Sequence, residues 1–244
     1  MGKLFLCRED ENGLAATTST TSTTGTSTTS TTSTTSTTVL EEFFGAAILD
    51  LKWSPKTWNS LPVLANVTAC GETLIYALQD QKLNLLHSHQ NESRSLCLSV
   101  DWNGTANHLV VSQSNGSLQL VHVSPSEIKT IDEWNAHDYE AWIACFDYDN
   151  TDIIYSGGDD CKLKVWDSRM TFARPSLVNK VHEAGVTTIS RNPFQEYSIA
   201  TGSYDENVRI WDSRNMRCPL SQCSTGGGVW RIKWQVSLTF TDSL

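Results

Sequence analysis

The sequence lacks the long apolar runs, basic clusters and paired cysteines that mark several large classes of protein. No stretch approaches the roughly 18 consecutive apolar residues of a membrane-spanning helix, so no membrane contact is expected. The start carries a short apolar patch, Leu4-Phe5-Leu6, but neither the longer core nor the small-residue cleavage site of a signal peptide. The resulting expectation is a protein of the cytoplasm, or also of the nucleus. Lys and Arg number 18 against 27 Asp and Glu, a formal charge of -9. With no basic cluster to meet phosphates, nucleic acid is not expected as a ligand, whereas cationic ligands and protein partners stay open. The seven cysteines are odd in number and none sits in a C-x-x-C pair, so they read as reduced thiols rather than as disulfides or zinc ligands.

What is present begins with a tract of low complexity. Every residue from Thr17 to Thr38 is Ser or Thr except Gly25. Such a segment has almost nothing to bury and no charge, so it is expected to stay disordered over residues 17–38. A glycosylated stalk would need secretion; a passive insertion needs nothing further and is the preferred reading. It divides an N-terminal strand fragment, residues 1–16, from the rest.

After Leu40 the chain repeats itself at roughly 45 residues. One recurring element is a short apolar strand: Ile48 to Trp53, Cys97 to Trp102, Ile143 to Tyr148, Val186 to Arg191 and Val229 to Trp234. The other is a small-residue turn feeding an alternating strand, as in Ser156-Gly157-Gly158-Asp159-Asp160 before Leu163-Lys164-Val165-Trp166, and Thr201-Gly202-Ser203-Tyr204-Asp205 before Val208-Arg209-Ile210-Trp211. Period-two alternation between Gly, Asp and Asn turns is strand periodicity, and it makes each repeat an all-β blade. In two repeats a His precedes, a turn Asp follows and a Trp-Asp pair closes the unit: His137, Asp160, Trp166 and His182, Asp205, Trp211. These are the marks of WD repeats. The carboxylate of each set must be paired if buried, and the imidazole and indole N–H groups are donors able to meet it. They are read as structural staples. The fold expected is therefore an all-β WD-repeat β-propeller over residues 41–234, incomplete, with about four blades and fragments of two others. Leu4-Phe5-Leu6 is a candidate last strand of an earlier blade, and residues 235–244 read as an unrelated tail. Because propellers close with roughly four to eight blades, the sequence suggests a truncated isoform.

The strings Glu140-Ala141-Trp142-Ile143-Ala144 and Gly227-Gly228-Val229-Trp230-Arg231-Ile232-Lys233-Trp234, with those around Ser156 and Ile199, resemble the eukaryotic diphthine methylesterases. Weaker similarity runs back to Gly2. The resemblance implies a hydrolase that removes the methyl ester of methylated diphthine, a modified histidine of elongation factor 2, before amidation completes diphthamide. It implies no cofactor, and elongation factor 2 as partner. The alternatives are a noncatalytic WD-repeat scaffold and an inactive truncated form of the esterase.

Ester hydrolysis needs a nucleophile or an activated water, together with donors for the oxyanion. The sequence has no G-x-S-x-G elbow and no His cluster at metal-binding spacing, so no metal is expected. Outside the staples, Glu140 is the candidate base or, alternatively, a carboxylate partner of the substrate's ammonium group, and Arg231 the candidate partner of the ester or product carboxylate. Trp142, Tyr204, Trp230 and Asp159 are the residue types of an aromatic cage for the substrate's trimethylammonium group. Asp159 and Tyr204 occupy equivalent turn positions, offset by the same roughly 45 residues.

Overall fold

The computed structural model describes residues 2–9, 13–19 and 38–235. The Ser/Thr tract over residues 20–37 and the tail from residue 236 onward lie outside the described residues. No described residue is helical. The chain divides into two compact units, Met1–Asn135 and Ala136–Leu244.

In the first unit, β1 (Gly2–Glu9) is the middle strand of a three-stranded antiparallel sheet, flanked by β2 (Gly13–Ser19) and β3 (Thr38–Gly45). The apolar triplet at residues 4–6 thus belongs to a sheet of its own local neighbours, and β2 runs three residues into the Ser/Thr tract. Two four-stranded antiparallel blades follow. The first consists of β4 (Ile48–Trp53), β5 (Val63–Thr68), β6 (Glu72–Gln79) and β7 (Lys82–Gln90). The second consists of β8 (Cys97–Trp102), β9 (His108–Gln113), β10 (Ser117–Val123) and β11 (Ile128–Asn135). β5 shows why these sequences form blades. Successive strand side chains point to opposite faces, and here both faces are covered: Val63, Ala65 and Val67 join a core with Val100, Trp102 and Leu109, while Leu64 packs with Leu78 and Leu83. In the first of these clusters Cys97 is fully buried, and burial pushes its thiol up to about 12, which leaves it inert at neutral pH. Cys70, Cys97, Cys145, Cys161, Cys218 and Cys223 are all free.

The second unit repeats the plan. Its blades are β12 (Ala141–Phe146), β13 (Ile153–Gly158), β14 (Leu163–Asp167) and β15 (Leu177–Asn179), then β16 (Val186–Arg191), β17 (Ser198–Ser203), β18 (Asn207–Asp212) and β19 (Ser221–Ser224). Ile143, Tyr155 and Leu163 of one blade pack with Val186, Ile189, Ile199 and Trp211 of the next in a shared core. The architecture is all-β, with four WD-type blades among the described residues. Trp166 pairs across from Ile154 and Trp211 from Ile199, so the two indoles hold the same place in their blades.

The strand expected at residues 229–234 is not observed. Val229 to Trp234 lies in no strand; a strand exists through its ladder partner, and among the described residues no later strand pairs with this segment. Lys164 and Arg209 alternate with apolar residues as solvent-facing positions do, yet they are 9% and 3% exposed. Ion pairs to turn carboxylates hold them inside.

One irregularity recurs. The pairing register shifts in the first strand of every blade, between Ile48 and Asp50, Cys97 and Ser99, Ala141 and Ile143, and Val186 and Thr188. A β-bulge re-aims the residue it frees. The freed residues are Leu49, Leu98, Trp142 and Thr187.

Candidate functional site

Each blade of the second unit is stapled by a buried polar chain. In the first, His137 Nδ1 lies 2.8 Å from Asp160 Oδ1, and its Nε2 lies 2.8 Å from the Ser156 hydroxyl. That hydroxyl also accepts the Trp166 indole N–H at 2.9 Å. In the second, Thr201 takes the place of Ser156: its hydroxyl lies 3.1 Å from His182 Nε2 and accepts the Trp211 indole at 2.8 Å. The tryptophans therefore donate to a hydroxyl relay rather than to the carboxylate. Sequence reasoning passed over Ser156 and Thr201, because Ser and Thr are too common for their position to signal a role.

The charged ends of the two staples differ. Asp160 faces Lys162 and Lys164, each at 3.5 Å, as well as His137. Burial alone would raise its pKa, but the His137 hydrogen bond and the neighbouring cations hold the carboxyl well below the ordinary range. In the next blade Arg209 sits between the partners, with Nη1 at 2.7 Å from both His182 Nδ1 and Asp205 Oδ2, and His182 to Asp205 opens to 3.5 Å. Burial first, and then the Arg209 charge, push His182 down to about 4, so the imidazole is neutral at neutral pH. A neutral Nδ1 accepts the guanidinium N–H. These side chains are buried and, apart from Arg209 Nε, find their partners close by, so that they bind one blade to itself.

Three aromatic residues of this unit, Trp142, Tyr204 and Trp230, form a different assembly. Trp142, turned out at the bulge of β12, meets Trp230 edge to face, with centroids 5.8 Å apart and ring planes at 67°. Tyr204 lies 6.1 Å from Trp230 at 37°. Asp159 accepts the Trp142 indole N–H at 3.1 Å. Trp230 and Tyr204 are 55% and 45% exposed, so the walls of the assembly face solvent. Backbone bonds set the spacing: Asp159 N–H donates to the Glu140 carbonyl at 2.9 Å, and at the equivalent place Tyr204 N–H donates to the Gly185 carbonyl at 3.0 Å.

Two glycines make room for the assembly. A Cβ on Gly185 would come within 2.6 Å of Asp159 Oδ1, and one on Gly228 within 2.7 Å of the Tyr204 ring. Both distances lie well inside van der Waals contact, so neither residue can carry a side chain without moving the site. Sequence reading did not single out either glycine, because the clash involves a residue distant in the chain.

Trp142, Asp159, Tyr204 and Trp230 thus stand together in one assembly. Glu140 is half-buried and joined to it through its backbone carbonyl, and Arg231 is exposed directly after Trp230. Three aromatic rings at mutual angles beside a carboxylate suit a fixed organic cation. Each ring face contributes about 0.5–2 kcal/mol to such binding.

Comparison with known proteins agrees with the repeat structure. The model of the WD domain, G-beta repeat, matches residues 128–167 and 174–212. Diphthine methyltransferase of Mus musculus is 39% identical over 204 residues, covering 78% of this chain and 43% of that protein. The chain is a WD40-repeat relative of the diphthine methyltransferases. The Dictyostelium discoideum homologue is 39% identical over 208 residues, with 56% of its length covered, and the Homo sapiens protein 38% over 203 residues, with 45% covered. The chain therefore spans about half the length of the curated relatives it matches. A chain in the structure titled "Crystal Structure of Mitotic Checkpoint Complex" superposes with a TM-score of 0.63 over 80% of this chain and 56% of that one, at 20% identity, which is a likeness of fold.

Proposed function

We propose that this chain acts in diphthamide biosynthesis and hydrolyses the methyl ester of methylated diphthine on elongation factor 2. The names of its relatives support the pathway. Those names say methyltransferase; hydrolysis, the reverse direction of methyl traffic, is our own reading. The observation that carries it is the cluster of Trp142, Tyr204, Trp230 and Asp159, which suits the trimethylammonium group of diphthine.

In the proposed reaction the cation docks against the ring faces, with the Asp159 charge adding attraction. Arg231 orients the ester carbonyl by charge-assisted hydrogen bonding. Glu140 removes a proton from water as its oxygen bonds to the carbonyl carbon. The bond to methoxide then breaks, methoxide takes the proton and leaves as methanol, and the product carboxylic acid ionises.

Two variants separate the roles, assayed on elongation factor 2 bearing methylated diphthine. Trp142→Ala should lower kcat/KM several-fold to about thirtyfold, the equivalent of one lost cation–π contact. Glu140→Gln keeps the shape and removes the base, so it should cost about 100-fold or more in kcat. Normal turnover by both folded variants would place the site elsewhere.

A second reading, a noncatalytic WD-repeat module, draws on the exposure of Trp230 and Tyr204, since exposed aromatic residues anchor protein interfaces. It predicts binding of the methylated factor with no change in the ester.

A further inference from the structure

Successive blades place different residues at the same bulge. In the second unit Trp142 and Thr187 hold it. Val229 extends the series, because Val186 packs where a Cβ on Gly157 would fall (2.6 Å) and Val229 packs where a Cβ on Gly202 would fall (2.4 Å). The residue after each valine is thus Thr187 and Trp230. In chain order the series reads Trp, Thr, Trp, with the small residue between the two indoles.

Thr187 is 6% exposed. Its hydroxyl donates to the carbonyl of Val229 and lies 3.2 Å from that of Gly202. A hydroxyl has one proton, and the Val229 carbonyl is the closer acceptor. That carbonyl belongs to the peptide that leads into Trp230. Val229 N–H donates to Ser203 at 3.0 Å, and its side chain seats on Gly202. Val229 is held on three sides, and among the described residues only the bond from Thr187 reaches the peptide plane shared with Trp230. Because a peptide is planar, fixing that carbonyl fixes where the N and Cα of Trp230 lie and so narrows the space its indole can reach.

We infer that Thr187 is a positioning residue of the aromatic site: its hydroxyl aims Trp230 at Trp142 and its small side chain leaves the gap in which the two indoles meet. This rests on the cation-site reading only for its consequence in binding; the placement of Trp230 is a separate observable. Two tryptophans in edge-to-face contact couple their transitions and give an exciton couplet in circular dichroism, which subtraction of the Trp142→Phe spectrum isolates.

The test uses the full chain with Thr187→Val, which keeps the shape and removes the hydroxyl, and Thr187→Ser, which keeps the hydroxyl. Tetramethylammonium is the probe, followed by tryptophan emission. Thr187→Val should lose the couplet and bind the probe about three- to thirtyfold more weakly, the range of one misplaced ring. Thr187→Ser should retain both. A folded Thr187→Val protein with the wild-type couplet overturns the inference, and so does a folded Thr187→Ser protein without it; the Ser variant decides alone if the Val variant fails to fold. A wild-type chain that shows the couplet but ignores tetramethylammonium refutes the cation site and leaves the positioning role to the couplet.

Discussion

Replacing Thr201 with Val tests the hydroxyl relay that the sequence did not disclose. Val nearly matches Thr in shape, so packing changes little and the effect isolates the hydroxyl. Its loss strands two groups: the Trp211 indole N–H, in a residue with no exposed surface, and His182 Nε2, in a residue 3% exposed. Each stranded buried polar group costs about 1–3 kcal/mol, so the variant should lose roughly 2–6 kcal/mol. For a chain of this size that corresponds to a fall in Tm of about 4–24 °C. The assay is thermal and urea unfolding followed by tryptophan emission, with Thr201→Ser alongside as the variant that restores the hydroxyl. In a Trp211→Phe background the indole is already gone, so Thr201→Val should cost less there than in the wild type. A Thr201→Val protein as stable as wild type would refute the reasoning, and so would one whose penalty is undiminished by Trp211→Phe.

Asp205→Ala removes the carboxylate beside the buried Arg209, and leaving that guanidinium uncompensated should cost about 3–5 kcal/mol; an unchanged urea midpoint would count against it. Gly185→Ala pushes on the movable end of Asp159, so the melting temperature should change little while tetramethylammonium binding weakens, and equal binding would contradict the geometry. His182 has a folded pKa near 4, below the ordinary value of about 6.5, so the unfolded chain binds the extra proton between those values. Stability from this group is complete above about pH 6.5 and is lost as pH falls toward 4, by up to about 3 kcal/mol, with His137 shifted in the same direction. Urea midpoints that stay flat across that window would refute it.

The blades were legible in the sequence because strand alternation and the turn strings repeat at one spacing, and the equivalence of Trp166 and Trp211 followed directly. The candidate site was legible by residue type, in Trp142, Asp159, Tyr204 and Trp230. What held those residues was not. Gly185 matters through Asp159 and Gly228 through Tyr204, contacts that only folding creates. Arg209 reads as a solvent-facing cation in an alternating strand, yet an ion pair with Asp205 draws it inside. Thr187 carries no signal until the bulge register aligns it with the tryptophans.

The central claim is that this chain removes a methyl ester from a residue whose fixed cation it holds against aromatic rings. The most direct measurement is mass spectrometry of the modified histidine after purified chain is incubated with elongation factor 2 bearing methylated diphthine. The account predicts loss of the ester methyl with the trimethylammonium group retained. An unchanged mass with folded protein at equimolar amounts, or a gain of methyl, would contradict it.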